Sequence, residues 1–175
     1  MHIVSGSGIT QPADQTGLGN LIIGYDELPL NVQLPNGDRQ GSHNLVLGRY
    51  NHFPVDGAAN IIGGMNNTAS GDSCFVMGQG NTVGGEQTAI LSGWLNKTNG
   101  FYTAITGGRF NDAEAVVDVI VGGSSNKEPS GDNFGASVIV GGQVNTDESE
   151  WSVILAGVGL INTKNSALIP LPTAN

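Results

Sequence analysis

Seven times along this chain an apolar pair, a usually small residue and a glycine are followed, three positions after the glycine, by asparagine. The copies run from Leu45-Val46-Leu47-Gly48 to Asn51, from Ile61-Ile62-Gly63-Gly64 to Asn67, and from Phe75-Val76-Met77-Gly78 to Asn81. They continue from Ile90-Leu91-Ser92-Gly93 to Asn96, Ile105-Thr106-Gly107-Gly108 to Asn111, Ile120-Val121-Gly122-Gly123 to Asn126, and Ile139-Val140-Gly141-Gly142 to Asn145. The asparagines are spaced by 16, 14, 15, 15, 15 and 19 residues. Weaker copies lie at Leu21-Ile22-Ile23-Gly24 and at Ile154-Leu155-Ala156-Gly157, where the asparagine slips to Asn162. A unit near 15 residues is too short to bury its own apolar side. It has room for one strand, a Gly-x-x-Asn bend and a short return segment, often read as Asn-Thr-x-x-Gly. Stacked at about 4.8 Å per coil, such units build a continuous core and a parallel hydrogen-bonded ladder. The expected fold is all-β, a parallel β-roll or solenoid of about nine coils and roughly 40 Å in length.

Composition agrees with that frame. Gly supplies 28 residues and Asn 18, and only 12% of residues are charged. Such a mixture favours short strands and turns over helices. The net charge of -9 argues against nucleic acid as a partner. No apolar run reaches the roughly 18 residues of a membrane span, and Met1 to Ser5 lacks the pattern of a signal peptide. The single cysteine, Cys74, precludes an internal disulfide and reads as a core thiol. The glycine and asparagine of each unit are assigned to corners that need positive φ, with asparagine amides laddering from coil to coil.

Separating the strand faces adds a second expectation. The residue three before each marker glycine is Leu45, Ile61, Phe75, Ile90, Ile105, Ile120, Ile139 or Ile154. This uniform row is assigned to the interior. The flanking positions, Cys74/Val76, Ala89/Leu91, Ala104/Thr106, Val119/Val121, Val138/Val140 and Val153/Leu155, fall on the other face and are mostly apolar. Strands apolar on both faces are covered on both faces. The preferred reading is homo-oligomerisation, with three-fold symmetry a natural arrangement; a wider monomeric β-helix is the alternative.

The repeated "VxGxxNTxxG" unit, as in "IIGGMNNTASGDSCFVMGQGNTVGG", resembles the head repeats of trimeric autotransporter adhesins and related repeats in phage and other trimeric fibre proteins. The resemblance covers about residues 18 to 165. It implies a left-handed parallel β-roll, a homotrimer, and attachment to a cell surface, glycan or matrix protein. It also implies an extracellular or cell-surface location, or membership of a virus- or phage-like fibre, with this chain a fragment of a longer one. The regular period of 15 departs from the family's more common 14, and no heptad stalk or membrane anchor accompanies it.

The domain reading is a lead-in or cap at 1–17, the repeat domain at 18–165 with an insertion at 25–40, and a cap or linker at 166–175. Further irregularities lie at 127–134 and 146–151. Trp94, Phe101, Tyr102, Phe110 and Trp151 fall in or near turns and are candidate binding residues for sugar or protein. Asp147, Glu148 and Glu150 match no calcium loop and read as an acidic solvated surface. His2, His43 and His52 have no ligand spacing, so no metal and no cofactor is expected. Three functions compete: a non-enzymatic adhesin-like fibre head, a structural spacer, and a glycan-cleaving fibre enzyme with Asp112, Glu114 and Asp118 as its carboxylates.

Overall fold

A computed structural model describes residues 17–24, 39–54, 56–129 and 136–169. The lead-in before residue 17, most of the 25–40 insertion, most of the 127–134 segment, and the tail after residue 169 lie outside the described residues, as does His2. The chain winds as a parallel β-solenoid with two sheets. The front sheet has ten strands in sequential order, from Leu21–Ile23 and Leu45–Arg49 through Ile61–Met65 and Phe75–Gln79 to Leu168–Ile169. The back sheet has seven, from Thr68–Ala69 to Ile161–Asn162. Every recorded pairing is parallel, as stacking of successive coils requires. Among the described residues eight coils begin, at Asn44, Asn60, Cys74, Thr88, Thr103, Asp118, Ser137 and Ser152. They are numbered here 1 to 8. The ninth expected coil is represented by single strands at the two ends.

The core is one side chain deep from each sheet. The front sheet points Val46, Ile62, Val76, Ile90, Ile105, Ile120, Ile139 and Ile154 inward, all buried. Each fully buried aliphatic side chain contributes about 1.5 to 3 kcal/mol. Opposite them lie Ala69, Val83, Thr98 and Ala113 from the back sheet, with Phe53 filling coil 1. This register corrects the sequence expectation in the first three coils. Leu45, Ile61 and Phe75 face outward, and Val76 faces inward, because Phe75 pairs with Ala89 and Val76 with Ile90. The cause is one inserted residue. From Val76 to Gln79 is three steps, whereas from the paired Ile90 to the paired Trp94 is four. Coils 1 to 3 therefore carry unbroken five-residue strands, and later coils carry a two-residue strand, a bulge and a single bridge at Trp94, Arg109, Ser124, Gln143 and Val158. The glycines stay stacked across this change while the strand before them slips, and a slip of one exchanges faces.

Asparagine holds the bend between front and back sheets. Asn111 Oδ1 accepts the Asn126 amide at 3.0 Å, and Asn111 Nδ2 donates to the Gly107 and Gly123 carbonyls at 3.1 and 3.3 Å. The same pattern recurs at Asn67, Asn81, Asn96, Asn126 and Asn145. The ladder ends at Leu160, whose amide donates to Asn145 Oδ1. Asn162 is therefore not a slipped copy of the ladder residue. It points inward from the back sheet and donates to Asp147 Oδ1 and Ser149 Oγ. At the other bend Asn20, Asn44 and Asn60 act alike, after which Cys74, Thr88, Thr103, Asp118, Ser137 and Ser152 take the position. Cys74 is thus a buried bend residue, as its reading as a core thiol implied, and not part of the outward row.

Positive φ is needed next to the asparagines rather than at them. The marker glycines adopt it, for example Gly93 at 102° and Gly108 at 87°, and a Cβ on either would strike the glycine carbonyl of the following coil. The residue before each ladder position adopts it too, including Leu95, Tyr102, Phe110, Val117, Val144 and Trp151, with φ between 54° and 67°. Left-handed backbone costs a non-glycine residue roughly 1 to 2 kcal/mol.

Two measurements check this account. Asn111→Ala strands main-chain groups of its own coil and of the next, the Gly107 and Gly123 carbonyls and the Asn126 amide, so chemical denaturation should show a loss of about 3 kcal/mol or more. Val117→Asn places a residue tolerant of left-handed backbone at φ 67°, and should raise stability by about 0.5 to 1 kcal/mol.

Candidate interaction surface

The outer side of the front sheet is apolar and open. One column carries Leu45, Ile61 and Phe75, then Ala89, Ala104, Val119, Val138 and Val153. Beside it in the later coils stand Leu91, Val121, Val140 and Leu155, between 37% and 49% exposed. This face follows from sequence alternation about the buried column, because neighbouring strand residues point to opposite sides. None of the chain's 15 acidic residues lies in the front segments 45–50, 61–66, 75–80, 89–95, 104–110, 119–125, 138–144 or 153–159, although the chain carries a net charge of -9. Arg49 and Arg109 are the only charges there, and both sit where the front sheet meets its bend. Eight coils at about 4.8 Å give a face about 40 Å long and about 20 Å wide, on the order of 800 Å².

The five aromatic candidates do not converge. Trp94 and Phe110 lie at the asparagine bend, with ring centroids 4.9 Å apart and planes tilted by 58°. Leu95, half exposed, adjoins them in sequence at the same bend. Phe101, Tyr102 and Trp151 lie at the opposite bend, Trp151 being 65% exposed. The pleat does not aim these rings. Tyr102, Phe110 and Trp151 each occupy a left-handed bend position, which turns the side chain away from the core. The front face is therefore bordered by aromatics on both sides at coils 4 and 5.

The carboxylates named for catalysis are separated by the wall of the roll. Asp112 and Glu114 belong to the outer surface of the back sheet, beside Lys97 and Lys127, with Lys97 Nζ 2.9 Å from Glu114 and Lys127 Nζ 3.5 Å from it. The Lys97 hydrogen bond holds the Glu114 carboxyl below its ordinary range. Partial burial, and then the Glu114 charge, push Asp112 up. Glu114 in turn raises Lys97. Asp118 is fully buried inside coil 6. Asp147 corrects the expectation of a solvated acidic surface at 146–151. It is buried, and its oxygens accept from Ser149 N, Ser149 Oγ, Ser152 Oγ and Asn162 Nδ2. Sequence reading missed this because one polar pair does not by itself say which member turns inward; the signal is its place two residues after Asn145, as the buried Ala113 follows Asn111. Among the described residues no group of three or more His, Cys, Asp or Glu side chains is placed to hold a metal ion, and no helix is long and apolar enough to cross a membrane.

No protein-family model matches the chain, and no curated protein matches its sequence.

Glu114→Gln should lower the Asp112 pKa, read by NMR titration, because a negative neighbour is removed. It should change stability by less than about 1 kcal/mol, as expected for a partly exposed ion pair.

Proposed function

We propose that this chain is a non-enzymatic, adhesin-like fibre module. In this reading three left-handed rolls pack side by side through their front sheets, and the trimer presents its bends and back sheets to a cell surface, glycan or matrix protein. The observation that carries the reading is the apolar, acid-free outer face of the front sheet. A face on the order of 800 Å² matches what one partner contributes to a stable protein interface. A chain of charge -9 that keeps its acids off this face favours a copy of itself as occupant over a basic partner. Solenoid architecture and the resemblance to fibre-head repeats supply the adhesive role. The uniformity of coils 4 and 5, which share one length and one bend chemistry, favours a second reading as a spacer within a fibre.

The test is absolute mass by light scattering after size exclusion. The expected mass is three chains, persistent on dilution. Val121→Lys, at a 42% exposed position outside the core, should reduce the mass to one chain while the far-ultraviolet spectrum stays β-rich. A wild-type mass of one chain would overturn the trimer. Binding of the intact trimer to whole cells or glycan arrays separates adhesin from spacer.

A further inference from the structure

The interior changes character along the rod. On the back-sheet side it reads Phe53, Ala69, Val83, Thr98 and Ala113 through coils 1 to 5, and then Glu128, Asp147 and Asn162 in coils 6 to 8. Glu128 is 1% exposed, and neither carboxyl oxygen has a hydrogen-bond partner of ordinary geometry. Its lateral neighbours in the back sheet are Ala113 and the strand bearing Asp147, and Ile120 and Ile139 belong to the buried front column of the same coils. The charged groups that face it are Asp118, from the bend that opens coil 6, and Asp147. Among the described residues no cation joins them, because Lys127 precedes Glu128 in the strand and points to the outer surface, where it pairs with Glu114.

An ionised carboxylate in such a place costs several kcal/mol unless donors surround it. Asp147 has its donors: two serine hydroxyls, the Ser149 amide and the Asn162 amide nitrogen. Asp118 has the Ala115 and Ser137 main-chain amides, each at 3.2 Å. Glu128 has neither. We propose that Glu128, buried without a hydrogen-bond partner of ordinary geometry and faced by the hydrogen-bonded carboxyls of Asp118 and Asp147, is a neutral carboxylic acid in the folded coil, and that its ionisation loosens coils 6 to 8. The C-terminal half of the rod is then a pH-sensitive clasp, tight in acidic surroundings and slack in alkaline ones.

The electrostatics run the same way. Burial first, then the Asp118 and Asp147 carboxyls, push Glu128 up to about 10, opposed by the Ile139 amide. Burial pushes Asp118 up to about 6 against the pull of its two amides. Both folded values lie above the unfolded ones. Their stabilisation is therefore complete below about pH 4 and is lost as pH rises, through about 6 for Asp118 and onward toward 10 for Glu128. This is opposite in sign to ordinary acid denaturation.

Thermal unfolding of the full chain at pH 5, 6.5 and 8 tests the clasp. The expected result is a melting temperature that falls by about 5 °C or more across the series. Glu128→Gln, neutral and nearly isosteric, should remove most of that fall and melt above the wild type at pH 8. Hydrogen exchange on the wild type gives a second readout. After correction for intrinsic rates, the Val138 and Ile154 amides should lose about ten-fold or more of their protection between pH 5 and 8, and those of Ile62 and Val76 should not. A melting temperature that is flat or rising with pH would overturn the proposal, as would a Glu128→Gln slope equal to that of the wild type or uniform loss of protection along the rod. So would a calcium-dependent rise at pH 8 that Glu128→Gln abolishes, which would make Glu128 a metal-held carboxylate instead.

Discussion

The buried asparagine amide at the front-to-back bend is the interaction on which the other features depend. A coil this short must turn sharply twice, and each turn leaves main-chain amides and carbonyls that its own coil cannot pair. Asparagine solves this with one acceptor and two donors in a planar group. Its oxygen takes the amide of the next asparagine, and its nitrogen ties the carbonyl four residues back to the glycine carbonyl of the next coil. Threonine or serine at that position lacks the second donor. A leucine is tolerated only at coil 8, where the asparagine ladder stops.

That ladder sets the spacing of everything around it. Because successive coils are tied main chain to main chain, the residue at the corner has no room for a side chain, and glycine is required where the next coil's carbonyl approaches. The same geometry forces left-handed backbone on the residue before each ladder position, whatever that residue is. Tyr102, Phe110 and Trp151 occupy this strained conformation, so the aromatics are thrown outward to border the front face. Their exposure is a consequence of the turn and is not by itself a sign of a ligand.

The carboxyls illustrate a different dependence. Asp112, Glu114, Asp118, Glu128 and Asp147 look equivalent as a run of acidic residues. The pleat of the back sheet divides them, placing Asp112 and Glu114 among lysines and Glu128 and Asp147 among isoleucines and serines. A two-residue strand by itself carries too little alternation to show this. Taken alone, Lys127-Glu128 and Thr146-Asp147 fit either orientation, but Glu128 and Asp147 each stand two residues after a ladder asparagine, as the buried Ala69, Val83, Thr98 and Ala113 do. The stacking of Glu128 on the buried Ala113 follows that offset and sets the side.

The repeat by itself determined the fold class, the parallel stacking, the amide ladder and the presence of a second apolar face. Those depend on composition at fixed intervals, and the interval is visible in the letters. Tertiary structure decided which residues make up each face in the first three coils. The later coils carry one extra residue between strand and glycine that the first three lack, so Leu45, Ile61 and Phe75 fall outside and Val76 inside while every glycine stays in line. Side-chain direction in a sheet has a period of two, so it is settled by pairing with the neighbouring coil, which the spacing of markers along one chain does not record.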